Sequence, residues 1–159
     1  MTPQEMVTEF HRVFRHPIGE RPEWPQKGRV PLRVDLIQEE VDELLEACEG
    51  RDIVGVADAL ADLIYVTYGM ALEFGINLDE VIAEVHRSNL TKLFTLHEAA
   101  EAVLPEGGYF LSVPAPGDRK AAMVGYRADG KVLKGPRFEE PRIYDALAWQ
   151  KRVSSDGSS

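Results

Sequence analysis

The sequence predicts an all-α fold, four-helix-bundle-like, with a small irregular or β-hairpin insertion after the fourth helix. Three observations carry this. Four stretches before Lys92 repeat apolar residues at helical spacing between capping residues. The third of them is apolar on nearly every side. After Lys92, Gly, Pro and alternating residues replace the helical period as far as Pro136.

The first helix is expected over Thr2–Phe14. Thr2 can cap it, Pro3 suits the first helical position, and Glu5 completes a capping box. Met6, Phe10, Val13 and Phe14 form its apolar stripe. A loop rich in Pro and Gly follows from His16 to Pro31, with Trp24 expected to pin it to the body. The second helix runs Leu32–Cys48 and ends at Gly50. On its wheel the apolar residues Ile37, Val41, Leu44, Leu45 and Cys48 adjoin the acids Glu39, Glu40 and Glu43, which is how a cleft beside a core is lined. The third helix, Ile53–Phe74, opens on Asp52 and closes at Gly75. A helix apolar all round is expected to be central and buried, yet this one carries Asp58 and Asp62 one turn apart. The fourth helix is Asn77–Leu90. Thr95–Val103 reads as a short helix, Tyr109–Val113 and Met123–Tyr126 as two short strands, and Glu140–Gln150 as a segment ending in a short helix. The length fits one domain, 1–153, with 93–127 inserted and 154–159 a disordered tail.

Of 159 residues, 27 are acidic and 18 basic, a net charge of −9. The window Asp35–Asp62 holds ten acids and one base, Arg51, so it accounts for the entire excess. Acidity without a basic tract argues against nucleic-acid or membrane-surface partners. No apolar run is read as reaching the roughly 18 residues of a membrane span. The single Cys48 cannot form an intrachain disulfide or a Cys-rich zinc site, and it fits a reducing, cytoplasmic setting. No signal-peptide pattern is visible at the start.

Carboxylates in an apolar setting are costly unless paired or metal-bound. Asp58 and Asp62 have no nearby base on their own helix, and Glu39, Glu40 and Glu43 would add repulsion. One or two Mg²⁺ or Mn²⁺ ions would relieve this, since hard cations take oxygen ligands and are commonly shared with substrate phosphates. Metal-assisted hydrolysis at phosphorus is the chemistry such a set serves. A solvated helix face is the competing reading, and it suits Asp42, Glu46 and Glu49 best.

Gln38-Glu39-Glu40-Val41-Asp42-Glu43, followed by Asp58-Ala59-Leu60-Ala61-Asp62, resembles the ExxE…ExxD metal pattern of the all-α nucleoside triphosphate pyrophosphohydrolases. That superfamily includes MazG-like proteins, dimeric dUTPases and phosphoribosyl-ATP pyrophosphohydrolases. Ala61–Gly69, Val85–Lys92 and Asp129–Pro136 resemble a MazG-like branch with dUTPase-related members. The resemblance implies that Glu40, Glu43 and Asp62 are metal ligands, with Asp58 a weaker candidate, and that Glu39 is the general base. It implies phosphate or sugar contacts for Asn89 and Lys92, with Lys131 and Lys134 closing over phosphates. The implied activity is hydrolysis of a nucleoside triphosphate, dUTP or a noncanonical nucleotide, to the monophosphate and pyrophosphate by a homodimer or homotetramer. Phosphoribosyl-ATP is an alternative substrate.

Two departures stand out. The usual Glu three residues before the last Asp is Ala59, with Asp58 beside it as a substitute, which admits a weakened nucleotide- or metal-binding module. Leu93–Arg127 is an insertion that would serve as a lid, a dimer arm or neutral decoration. Tyr65 and Tyr68 are spaced to stack a base or to pack a core. Cys48 reads as core, His86 as a phosphate contact or a structural helical histidine, and His11, His16 and His97 show no metal-ligand spacing.

Overall fold

A computed structural model describes residues 1–115 and 119–156. It is mostly helical, with six helices and one two-stranded antiparallel hairpin among these residues. The elements are α1 Pro3–Val13, α2 Arg29–Glu49, α3 Ile53–Glu73, α4 Leu78–Leu90, α5 Leu96–Glu101, β1 Tyr109–Ala115, β2 Arg119–Tyr126 and α6 Ile143–Asp156. The chain divides into two compact units, residues 1–81 with 144–159, and residues 82–143.

In the first unit α3 packs lengthwise on α2 and also meets α1. The expected box caps α1: the Thr2 side chain accepts from the Glu5 N–H, and the Glu5 side chain accepts from the Thr2 N–H. α2 begins at Arg29, three residues before the sequence reading, with Gly28 in the left-handed region at its N-terminus. Pro31 is tolerated there because first-turn N–H groups have no intrahelical partner. Asp52 caps α3 by accepting from the Val54 N–H at 3.0 Å.

The core is small. Val7, Tyr68 and Leu72 are buried together, with Tyr65 and Leu78 packed against them. Beside it lies a polar cluster that the sequence reading did not find. Glu73, whose side chain is 0% exposed, is hydrogen-bonded by Arg29 Nε at 2.8 Å and by Arg33 Nε at 2.7 Å. Burial would push the Glu73 carboxyl up, but the two guanidinium groups hold it below the ordinary carboxylate value. His11, also buried, accepts from Arg33 Nη2 on Nε2 (3.1 Å), because arginine can only donate. Its Nδ1–H therefore donates to the Pro17 carbonyl at 2.8 Å. A Cβ on Gly69 would stand 2.9 Å from Arg33 Nη1 and 3.1 Å from His11 Nε2, so glycine makes room for this contact.

Several expectations change here. Burial in α3 is concentrated in its C-terminal part, at Tyr68, Gly69, Ala71, Leu72 and Glu73, with Ala59 the buried residue nearer its start. The N-terminal part exposes Ile53 at 77%, Val54 at 75% and Ile64 at 53%, because α2 covers one side only. Asp58 and Asp62 are correspondingly exposed in the single chain rather than buried. Cys48, expected in the core, is also exposed, near the end of an α2 face on which Leu45 is bare as well. By length and composition alone α3 is long and apolar enough to cross a membrane, with mean hydropathy 1.4 over its apolar window. Its charge-free runs stop at the two aspartates. Those aspartates and the charge-paired Glu73 suit a helix packed within protein, since a carboxylate at a bilayer centre costs roughly 2.5–3.5 kcal/mol. Trp24 is largely exposed, although its ring meets Phe74 edge-on at 5.4 Å. The helix α6 continues through Asp156, into the stretch read as a tail, and Gly157–Ser159 lie outside the described residues.

In the second unit the hairpin pairs Tyr109 with Tyr126 and Val113 with Ala122. Phe94 joins its edge through an isolated bridge to Met123 and packs edge-on against Phe110 at 5.1 Å. The hairpin read from alternation is thus present, longer at both strands than the sequence indicated. α5 carries a full capping box from Thr95 and Glu98.

Candidate active site

The acids singled out in the sequence converge on α2 and α3. The Glu40 carboxyl is pushed up, first by its partial burial and then by the charges of Glu43, Asp62, Glu39 and Asp58. Four carboxylates on two helices therefore act on a fifth. None of the five is held by a hydrogen bond or paired with a cation among the described residues. Glu39, Glu43, Asp58 and Asp62 are exposed, and Glu40 is half-buried. α2 places Glu39, Glu40 and Glu43 within little more than one turn, and the adjoining apolar stripe holds that face to α3.

This donor set is all oxygen and uncompensated, which fits a hard divalent cation. Among the described residues no three His, Cys, Asp or Glu side chains are grouped closely enough to hold a metal as they stand. The carboxylates would have to draw closer together to ligate. Glu40, Glu43, Asp62 and Asp58 are the residues able to do so. Ala59, at the position where the pattern has Glu, is 4% exposed and contributes only to packing. Asp58, its neighbour, is among the charges acting on Glu40.

Tyr65 is half-buried and meets Phe10 edge-on, with ring centroids 5.6 Å apart. Tyr68 is buried, and its hydroxyl donates to Asp79 at 2.7 Å. Burial first, and that hydrogen bond second, push it up to about 12. Both tyrosines thus serve the core of the first unit.

The polar candidates in the second unit make contacts of their own. Asn89 Oδ1 accepts from Lys92 Nζ at 2.6 Å. Lys134 Nζ pairs with Glu140 at 2.8 Å. Lys131 occupies the Asp129–Gly130 turn, its N–H donating to Asp129 Oδ1 at 3.1 Å, and its ammonium makes no ion pair among the described residues. His86 is exposed. Sequence reasoning missed the residues that tie these together. Buried Ser88 donates to the Glu139 carbonyl at 2.7 Å, and the Glu139 N–H donates to Thr91 Oγ1 at 2.9 Å. Arg87 bridges Glu84 and Glu139. Its hydrogen bonds, aided by one from the Arg142 N–H, hold Glu84 down to about 2. The available signal was the Ser88–Lys92 motif itself, whose hydroxyls needed acceptors and donors elsewhere.

A helical unit built on two long packed helices, with an acid fan along them, is the architecture of MazG-like all-α nucleoside triphosphate pyrophosphohydrolases. The family model described as phosphoribosyl-ATP pyrophosphohydrolase matches residues 7–89, from α1 to the end of α4. The chain belongs to that family, which lies within the MazG-like superfamily. It is also 44% identical over 84 residues to an uncharacterised protein of Acanthamoeba polyphaga mimivirus. That alignment takes in 49% of this chain and 33% of the viral protein, so the chain spans about a third of that relative.

Proposed function

We propose that the protein hydrolyses a nucleoside triphosphate to the monophosphate and pyrophosphate, with Mg²⁺ or Mn²⁺ held by Glu40, Glu43, Asp62 and Asp58. The observation that carries this reading is the convergence of four unpaired carboxylates on Glu40. A divalent cation bound there would polarise phosphate oxygens and lower the pKa of water. Glu39 orients the attacking water and takes its proton. The new bond forms between the water oxygen and the α-phosphorus, and the bond from that phosphorus to the bridging oxygen breaks. Pyrophosphate leaves with the bonding pair. dUTP or a noncanonical triphosphate is the preferred substrate, on the resemblance of Ala61–Gly69 and Ser88–Lys92 to the dUTPase-related branch.

The description of the matched family favours a second reading, phosphoribosyl-ATP as substrate. Ala59 favours a third, a module that binds nucleotide or metal with weakened turnover. The apolar N-terminal half of α3 supports a homodimer or homotetramer, since a second copy would cover Ile53, Val54 and Ile64. A pyrophosphate-release screen with Mg²⁺ or Mn²⁺ across dUTP, the four standard dNTPs, noncanonical triphosphates and phosphoribosyl-ATP separates these readings. Release from one triphosphate, lost in Glu40→Gln, is expected. Release from phosphoribosyl-ATP alone selects the second reading. Tight nucleotide binding without release selects the third.

A further inference from the structure

Two lysines of the second unit share one aromatic ring. Lys134 Nζ lies 4.1 Å from the Phe138 centroid, and Lys92 Nζ lies 6.0 Å from it. Both distances fall within the range of cation–π attraction. The backbone enforces this. The Gly135 N–H donates to the Lys92 carbonyl at 3.0 Å, and the Phe138 N–H donates to the Gly135 carbonyl at 3.0 Å. A Cβ on Gly135 would stand 2.8 Å from the Leu93 carbonyl oxygen and 2.9 Å from that of Lys92. Only glycine lets the two segments lie together. The residue after Phe138 is then fixed by Ser88 and Thr91, at the other end of the Lys92 segment. Two ammonium groups that would repel in water are thus gathered over one half-buried ring, whose face is their shared electron-rich partner. Asn89, a neutral acceptor, takes one hydrogen bond from Lys92.

We infer that Phe138 is a positioning residue that holds Lys92 and Lys134 as a two-point cradle for a polyphosphate anion. The inference rests on the reading of a nucleoside triphosphate as substrate, since such a substrate carries the polyphosphate chain that two gathered ammonium groups would take. Glu140, paired with Lys134 at the surface, yields to the more highly charged ligand.

The test is calorimetric titration of the full chain with inorganic tripolyphosphate in low salt without divalent cations. Phe138→Leu should weaken tripolyphosphate binding by roughly two- to fivefold for each ammonium that loses the ring. Phe138→Tyr should restore it. Lysine ¹³C-methylation offers a readout on the unsubstituted ring. The Lys92 and Lys134 methyl signals should be ring-current shifted upfield and should move when tripolyphosphate is added. Wild-type tripolyphosphate affinity in Phe138→Leu, or methyl signals at ordinary lysine positions, would overturn the inference while leaving the proposed activity intact. Loss of binding in Phe138→Tyr equal to that in Phe138→Leu would also overturn it, since a ring would then not be what matters. If no triphosphate is hydrolysed, the tripolyphosphate and methyl arms still decide the role of Phe138.

Discussion

Replacing Glu73 by Gln tests the buried charge cluster most directly. The substitution keeps the shape and removes the charge. Glu73 is 0% exposed at its side chain and Arg33 only 7%, so neither can recover the loss through water. Removing one partner of a buried ion pair leaves the other charge uncompensated and costs about 3–5 kcal/mol. A chain of this size shifts its midpoint by about 2–4 °C per kcal/mol, so Glu73→Gln should melt roughly 6–20 °C below wild type. The triple variant Glu73→Met with Arg29→Met and Arg33→Met should recover much of that loss, because apolar replacement of every partner in a buried ionic cluster is often neutral or better. The pH dependence adds a second readout. The folded Glu73 carboxyl lies below its ordinary value of 4.5, so its stabilisation is complete above that value and fades as pH falls through the folded pKa. His11 is lowered from 6.5, by burial first and by Arg33 and His16 among its neighbours, against the Pro17 hydrogen bond and the Glu73 charge. The unfolded chain therefore takes up that proton first, and stability begins to decline below pH 6.5. Wild type should lose stability in two acid stages, and in Glu73→Gln the lower one should shrink to what Glu84 and the other paired carboxylates contribute. Thermal denaturation followed by circular dichroism from about pH 3 to 8 measures both effects. A midpoint drop under about 2 °C at neutral pH would refute the cluster as a source of stability.

Three other outcomes follow from the site. Mg²⁺ or Mn²⁺ should raise the melting midpoint of wild type, with the gain near about 2.7 kcal/mol at one hundred times Kd, and Glu40→Gln should abolish it; no shift at millimolar metal would remove the metal reading. Ala59→Glu places a long, charged side chain at a 4% exposed position, so without metal it should destabilise by about 1–3 kcal/mol, and Mn²⁺ should reverse part of that if the new carboxylate joins the cluster. Equal destabilisation with and without Mn²⁺ would separate Ala59 from the site. Ile64→Glu should shift the sedimentation of the protein toward monomer, and an unchanged sedimentation coefficient would mean that the bare face of α3 is not where copies meet.

The helices are legible because capping residues and apolar spacing are local. Thr2 with Glu5, and Asp52 before Ile53, set their helix starts as read. The start of α2 is displaced in the sequence reading because Pro31 reads as a loop residue, whereas a first turn accepts it. The acid fan is legible because Glu39, Glu40 and Glu43 share a helix face, and that face meets α3. Burial is not legible. The apolar character of α3 is a property of its sequence, but what covers Ile53 and Ile64 is not encoded within one chain's local pattern. The Glu73 cluster escapes for a different reason. Its partners lie 40 and 44 residues away on α2, and an acid ending an apolar helix reads as an ordinary terminus. Phe138 escapes because its importance is the company of two lysines, one of them far upstream, brought together by Gly135.

The uneven burial of α3 has a kinetic consequence. Its last turn and a half is fastened by Glu73 and by the core residues Tyr68 and Leu72, so amide hydrogens there should exchange only when the whole unit opens. Its first three turns, which carry both aspartates, are held mainly by α2 and should exchange through far smaller openings. One helix therefore spans two exchange regimes. Whatever settles on the aspartates or over the bare isoleucines would register as slowed exchange between Ile53 and Ile64, with little change beyond Tyr68.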